Sequence, residues 1–232
     1  MSEPIRRDVY QADALQWLKD HKLVAGCSVV TSLPDWSEFS KLTLDEWKTW
    51  FTDAAKQVLS STPDEGVVVF FQTDIKVEGA WVDKAFLCQL AAHATGHSLL
   101  WHKLVCKISP GHASYARPGY SHLICFSKRA RAEVAHSTPD ILPHTGDVTW
   151  ARGMGVEACF EACRFIQKHT TSRTVVDPFC GHGTVLAVAN SLGMDAIGVD
   201  LGGNRADKAR RIQLREDGKL EFNPKMKEPS TE

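Results

Sequence analysis

Thr174-Val-Val-Asp177-Pro-Phe-Cys-Gly-His-Gly-Thr184, running on into Val185-Leu-Ala-Val-Ala-Asn190, decides the fold of this chain. Thr174–Asp177 reads as the end of a buried strand, and Val185–Asn190 reads as the start of a helix. Between them lies a glycine turn. Gly181 and Gly183 let the backbone come close to a ligand, and the helix N-terminus offers unpaired N–H groups. Twenty-three residues beyond Asp177, Asp200 closes a second strand, Ala196-Ile-Gly-Val-Asp200. That separation is near the ~20 residues expected of an acid that holds a ribose hydroxyl pair. The stretch predicts a nucleoside-binding strand–turn–helix.

The turn also narrows the kind of nucleoside. A P-loop wants Lys after the glycines, and none follows Gly183; a dinucleotide turn wants a third glycine where Leu186 stands. An acid at the head of the turn repels a pyrophosphate. It suits a cation, such as the ammonium and sulfonium of S-adenosylmethionine (SAM). The plainer alternative, an ordinary glycine-containing β–α turn, leaves the spacing of Asp200 unexplained.

Composition sets the bounds. The 232 residues are 43% hydrophobic and 24% charged, as in a globular protein, and suffice for one domain with a full core. The net charge of -1 excludes a global basic excess, so any nucleic-acid contact rests on a local patch. Seven cysteines are scattered without a C-x-x-C pair, which points away from a zinc site or disulfide framework and toward buried thiols in a reducing compartment. No apolar signal core opens the chain and no apolar run approaches a membrane span. The expectation is an intracellular protein, cytoplasmic or nuclear, that is not secreted and has no membrane association.

Strands and helices alternate outward from the glycine motif. Strands are expected at Asp8–Tyr10, Cys27–Ser32, Gly66–Gln72, Ser98–Lys107 and His122–Lys128, and helices over 13–21, 81–95, 155–168 and 204–214. Leu44, Trp47, Phe51 and Val58 share one helical face. Residues 129–149 read as an aperiodic surface excursion, and the chain after Gly218 as a polar, fraying tail. The fold expected is an α/β, Rossmann-like, seven-stranded, mostly parallel sheet covered on both faces, occupying residues 1–218, with 219–232 outside it.

A second constellation lies at Ser32-Leu-Pro-Asp35, followed by Trp36, where a strand ends and an open α/β sheet places its ligand crevice. Read alone it is equally a plain strand-to-loop turn. Taken with the glycine motif, it makes the chain resemble the exocyclic-amino methyltransferases of DNA and RNA in their circularly permuted arrangement. There the catalytic Asp/Asn/Ser-Pro-Pro-aromatic precedes the SAM motif Asp-Pro-Phe-x-Gly-x-Gly-Thr. The resemblance covers most of residues 8–215. It implies SAM as cofactor, held by Asp177, Pro178, Phe179, Gly181, Gly183 and Thr184 at the methionine end and by Asp200 and Leu201 at the ribose. Asp13 in Gln11-Ala-Asp-Ala-Leu15 meets the adenine, and Ser32 and Arg152 complete the cofactor set. A late antiparallel hairpin, Trp101-His-Lys103 with Tyr120–Lys128, is implied as well.

The same resemblance places catalysis at Ser32, Pro34 and Asp35. The Ser32 side chain and Leu33 carbonyl accept hydrogen bonds from the target amine, aiming its lone pair at the sulfonium. The pattern is altered: Leu33 replaces a proline, and Asp35 replaces the aromatic that stacks on the extruded base. Trp36 is the candidate stacker, and Asp35 a candidate proton acceptor. The substrate surface is read as Leu33, Trp36, Arg117, Arg129 and Arg131. No metal is expected: His93 and His97 stand four apart without a third ligand. Residues 129–149 are too short for a recognition domain, so the acceptor is expected to be a base amine (N4 of cytosine or N6 of adenine type) in nucleic acid, RNA favoured, with a partner protein aiding recognition. The alternatives are a DNA amino-methyltransferase, a silent subunit scaffolding an active partner, and a protein or small-molecule amine as acceptor.

Overall fold

The computed structural model describes residues 4–115, 117–132 and 137–224. Chain order is β1 (Arg7–Gln11), α1 (Ala14–Asp20), β2 (Cys27–Thr31), α2 (Leu44–Ser61), β3 (Val68–Gln72), β4 (Ile75–Val77), β5 (Ala80–Val82) and α3 (Lys84–Ala94). Then come β6 (Ser98–Cys106), β7 (Tyr120–Ser127), β8 (Ile141–Leu142), α4 (Val156–His169), β9 (Thr174–Asp177), α5 (Thr184–Ser191), β10 (Asp195–Asp200), α6 (Gly203–Arg211), β11 (Ile212–Leu214) and β12 (Leu220–Phe222).

One eight-stranded sheet runs β1-β10-β9-β2-β3-β7-β6-β8. The pairs from β1 through β3 are parallel; β7 is antiparallel to both β3 and β6. The expected mostly parallel sheet with a late hairpin is present. The eighth strand is the two-residue β8, parallel to β6 at its edge, too short for its period to show in the sequence.

The central strands β2 and β3 are buried along their whole length, because helices cover both faces. On one face α1, α2 and α3 pack Trp17, Trp47, Phe51 and Cys88 against Val29, Phe70 and Val176. On the other, α4, α5 and α6 pack Cys159, Ile166, Leu186 and Ala209 against Val30, Val69 and Val175. Of the α2 face foreseen from Leu44, Trp47, Phe51 and Val58, the last three are wholly buried and Leu44 partly, and Thr43 and Glu46 cap the helix start reciprocally. All seven cysteines are buried free thiols.

Three boundaries differ from the sequence reading. The helix expected from Trp81 starts at Lys84, because Asp83 caps it through Phe86 N at 2.8 Å and Trp81 sits in the β4–β5 hairpin. The last helix stops at Arg211, where β11 turns back to pair with β12; residues 220–222 are therefore part of the fold rather than a frayed tail, and 225–232 lie outside the described residues. The far end of the 129–149 segment is also tied down: the Thr145 and Asp147 carbonyls cap the first N–H groups of α4 at 3.1 and 3.0 Å. No helix among the described residues is long and apolar enough to cross a membrane.

Candidate active site

The sheet order reverses between β9 and β2: the chain leaves β9 toward β10 on one side and β2 toward β3 on the other. This switch point opens a crevice at the carboxyl ends of the strands. It brings together two motifs that are far apart in sequence, and a hydrogen bond locks them: Thr31 Oγ1 donates to Asp177 Oδ1 at 2.7 Å.

A cavity of ≈ 290 Å³ fills the crevice. Of the residues proposed for the cofactor, Asp13, Ser32, Arg152, Asp177, Pro178, Phe179, Gly181, Thr184, Asp200 and Leu201 all line it. Gly183 does not. Its φ of +86° and the approach of Ala209 Cα, 2.8 Å from where a Cβ would stand, make it the residue that lets α6 close on the turn. Gly181 takes φ +54°, turning its N–H to Asp200 Oδ2 at 3.1 Å.

The two acids have different surroundings. Asp177 is 4% exposed. Burial, partly offset by bonds from Thr31 and Phe179 N and reinforced by the charge of Asp200, pushes its carboxyl up to about 7. Both donors reach Oδ1, Phe179 N at 3.2 Å. A cation arriving on the other oxygen would restore the charged form. Asp200 is already engaged: Oδ1 accepts from Gly202 N at 2.7 Å and from Arg205 Nε at 2.8 Å. A ribose must share or displace Arg205. Asp13 caps α1 through Gln16 N at 2.8 Å, so one carboxylate oxygen is spent on the helix.

Several lining residues escaped the sequence reading. Phe39 and Trp50, with centroids 4.5 Å apart, form one wall. Trp50, on α2, is thus a cavity residue. Trp150 forms another wall, stacked on His182 at 5.2 Å. Glu38 lines the cavity too and pairs with Arg152, itself expected there, at 3.7 Å. Glu38, Phe39 and Trp50 belong to no motif; only their arrival at the crevice marks them.

Ser32 and Leu33 also line a second cavity of ≈ 460 Å³, beside the first and shared with Glu38 and Arg152. The Ser32–Asp35 turn and Trp36 face it, and here the expected proton acceptor is already engaged. Asp35 is no free base: it caps the 3-10 turn Trp36–Glu38 and accepts from Lys84 Nζ at 2.9 Å. Burial raises its pKa, but the Lys84 charge and the bonds from Lys84 and Ser37 more than reverse this and hold it below the usual carboxylate value. Lys84, 3% exposed, sits 5.6 Å from the Trp47 ring. Trp36 donates its ring N–H to Leu42 O at 3.0 Å and packs partly against the core beside α2, which fixes the ring in the wall of this cavity.

The proposed basic surface divides. Arg117 lines the second cavity. Arg129 and Arg131 follow β7, whose end lies beside the start of β3, and so stand at the opposite end of the sheet. Arg129 is paired with Glu65 at 3.0 Å and Arg131 with carbonyls of its own turn. That surface is excluded from the crevice by strand direction, which a sequence patch does not reveal. His97 bonds Thr95 Oγ1 at 2.9 Å rather than His93. Another group, Asp74, Asp83 and His122, has ligand atoms within 4.8 Å. Each is committed to the protein: His122 Nε2 to Asp74 at 3.0 Å, Asp74 to Lys84 N at 2.9 Å, and Asp83 to the α3 cap.

No protein-family model matches this sequence, and no curated protein matches it. Solved structures do share its fold. TTHA0409 of Thermus thermophilus, a candidate DNA modification methylase solved with S-adenosyl-L-methionine, superposes with a TM-score of 0.66 at 19% identity, over 89% of this chain and 93% of its own. PvuII DNA methyltransferase, described as cytosine-N4-specific, gives 0.66 at 18% identity over 89% and 86%. M1.HpyAVI in its SAM complex gives 0.61 at 15% identity over 88% and 97%. The chain has the α/β fold of these methyltransferases.

Proposed function

We propose that this chain is a SAM-dependent methyltransferase acting on an exocyclic amine of a DNA base. One observation carries the reading: the glycine-turn cradle and the Ser32-Leu-Pro-Asp35 turn meet at one switch point, joined by the Thr31–Asp177 bond. The lining fits the cofactor. Asp177 offers a buried carboxylate to a cationic head, the turn offers N–H groups, and Asp200 stands at ribose spacing.

SAM, when bound, supplies an electrophilic methyl. This chain's residues align the acceptor. Ser32 Oγ and the Leu33 carbonyl accept from the amine hydrogens and leave the nitrogen lone pair free to face the cofactor. Bound SAM would supply the methyl to that nitrogen and keep the bonding electron pair on its sulfur. The proton of the methylated nitrogen would pass to solvent, because pairing with Lys84 lowers the Asp35 pKa and makes its carboxylate a weak acceptor.

The expectation of RNA over DNA gains no support. The similar structures are named as DNA methylases, and DNA is the acceptor their names favour. Residues 129–149 hold only the edge strand β8 and the α4 cap among the described residues, so target recognition by a partner chain stays part of the proposal. Seven buried thiols suit an intracellular setting. The test is transfer of labelled methyl from SAM onto DNA and onto RNA, each digested to nucleosides. Label in N4-methylcytosine or N6-methyladenine of DNA is expected. Label in RNA alone would reverse the acceptor, and SAM binding without transfer would leave a silent subunit.

A further inference from the structure

The second cavity is lined by two exposed cations without a carboxylate partner and by one buried amide without a hydrogen-bond partner. Its lining cations are Lys76, Lys84, Lys107, Arg117 and Arg152. Lys84 is neutralised by Asp35 and Arg152 by Glu38, and Lys76 lies 5.5 Å from the Trp81 ring. Lys107 and Arg117 have no carboxylate within 4.0 Å among the described residues. Lys107 Nζ donates instead to Thr73 Oγ1 at 2.8 Å, and that hydroxyl is bonded to Ser121 Oγ at 2.6 Å. Desolvation in the cleft, then the charges of Arg117 and Lys84, lower the Lys107 pKa against a smaller pull from Asp35. Two cations crowd together without an anion.

Gln72 is the second, independent sign of a ligand. It ends β3, lines the same cavity and is 1% exposed, yet its Nε2 has no hydrogen-bond partner. A buried donor left unmade is costly and rare in a native fold. Ring nitrogens and carbonyls of a base are acceptors of the kind it lacks. Cations for a phosphate and an amide for a base edge, beside the turn that presents Ser32, describe a nucleotide in outline.

Resting on the proposed function, we propose that this cavity seats the acceptor nucleotide of a DNA strand, with Lys107 and Arg117 on its phosphate and the buried Gln72 amide turning outward to donate to its base. Asp35 and Trp36 also line the cavity, but the Asp35 carboxylate is paired with Lys84 and the Trp36 ring is fixed by Leu42, so the amide and the phosphate clamp are the groups left to hold the nucleotide.

The experiment measures anisotropy of a fluorescent short single-stranded DNA across a salt series, beside a matched RNA and free inorganic phosphate, with SAM affinity read in parallel. Lys107→Ala/Arg117→Ala should weaken DNA binding by about tenfold or more and flatten the log–log salt slope by about 1.4, two contacts at roughly 0.7 each. The opposite-end variant Arg129→Ala/Arg131→Ala should change neither. Gln72→Met, close in size, should leave SAM affinity and melting temperature near wild type and lower kcat/KM for DNA by about tenfold, one lost hydrogen bond's worth. Unchanged affinity and slope in the Lys107/Arg117 variant, or equal loss in the opposite-end variant, overturns the seat even where the wild type methylates DNA. Tighter, equally Lys107-dependent binding of the RNA, or of phosphate alone, overturns DNA as the occupant. Failure of the parent reading shows separately, as absent SAM binding or absent transfer in the wild type.

Discussion

Asp177→Asn separates the charge of this residue from its shape. Thr31 Oγ1 and Phe179 N both donate to Oδ1, so an asparagine carbonyl keeps both bonds, and its Nδ2 replaces the other oxygen. What the substitution removes is a carboxyl whose pKa is raised from 3.8 to about 7, chiefly by burial. Between those values the folded chain holds a proton that the unfolded chain has lost, so stability falls as pH rises through this window. About 3 units at about 1.4 kcal/mol each bound the cost near 4 kcal/mol above pH 7, and relaxation reduces it. The asparagine variant should therefore equal the wild type in stability near pH 4 and exceed it by roughly 1–4 kcal/mol at pH 8, a rise of several degrees at about 2–4 °C per kcal/mol. SAM binding should be lost at every pH. In the wild type SAM affinity should fall toward tenfold per unit below pH 7, with proton release on binding. Denaturant melts at pH 4 and 8, and titration calorimetry in buffers of different ionisation enthalpy, read both effects. A variant less stable than wild type at pH 8, or one that binds SAM normally, would refute the assignment of a buried carboxylate serving a cationic ligand.

Two further outcomes test the turns beside it. Asp35→Ala should destabilise the fold by about 3–5 kcal/mol, because it strands the buried Lys84 ammonium, while Asp35→Ala/Lys84→Met should recover most of that loss; equal unfolding midpoints for the single and double variants would contradict the pairing, and activity in the double variant would show that Asp35 is not needed for chemistry. Gly183→Ala should cost about 1–3 kcal/mol or more, since φ is +86° and the new Cβ would stand 2.8 Å from Ala209 Cα; a near-neutral urea midpoint would mean that α6 does not close on the turn as described.

The cofactor half of the site could be read from the sequence because its information is local. The glycine turn needs φ values that only a few residues in succession determine, and the strand and helix around it follow from short-range periodicity. Asp200 could be found because one β–α–β unit has a nearly constant length. The acceptor half was less open to such reading. Ser32 and Leu33 stand where the tetrapeptide placed them, but Asp35 is neutralised by Lys84, 49 residues on, and Trp36 is held by Leu42. Nothing within the turn announces either partner. Arg129 and Arg131 look like one patch with Arg117 in the sequence, yet β7 carries them to the far end of the sheet.

By itself, then, the sequence determined seven strands of the main sheet, the helices on its two covered faces and the cradle, since hydrophobic period and turn chemistry act over a few residues. Tertiary structure alone decided which residues share a cavity: Thr31 with Asp177, Arg205 on Asp200, and Gln72, Lys107 and Arg117 around one space. The physical reason is that strand order and direction set those neighbours, and strand order is fixed by how the whole chain buries its apolar faces, not by any segment within it.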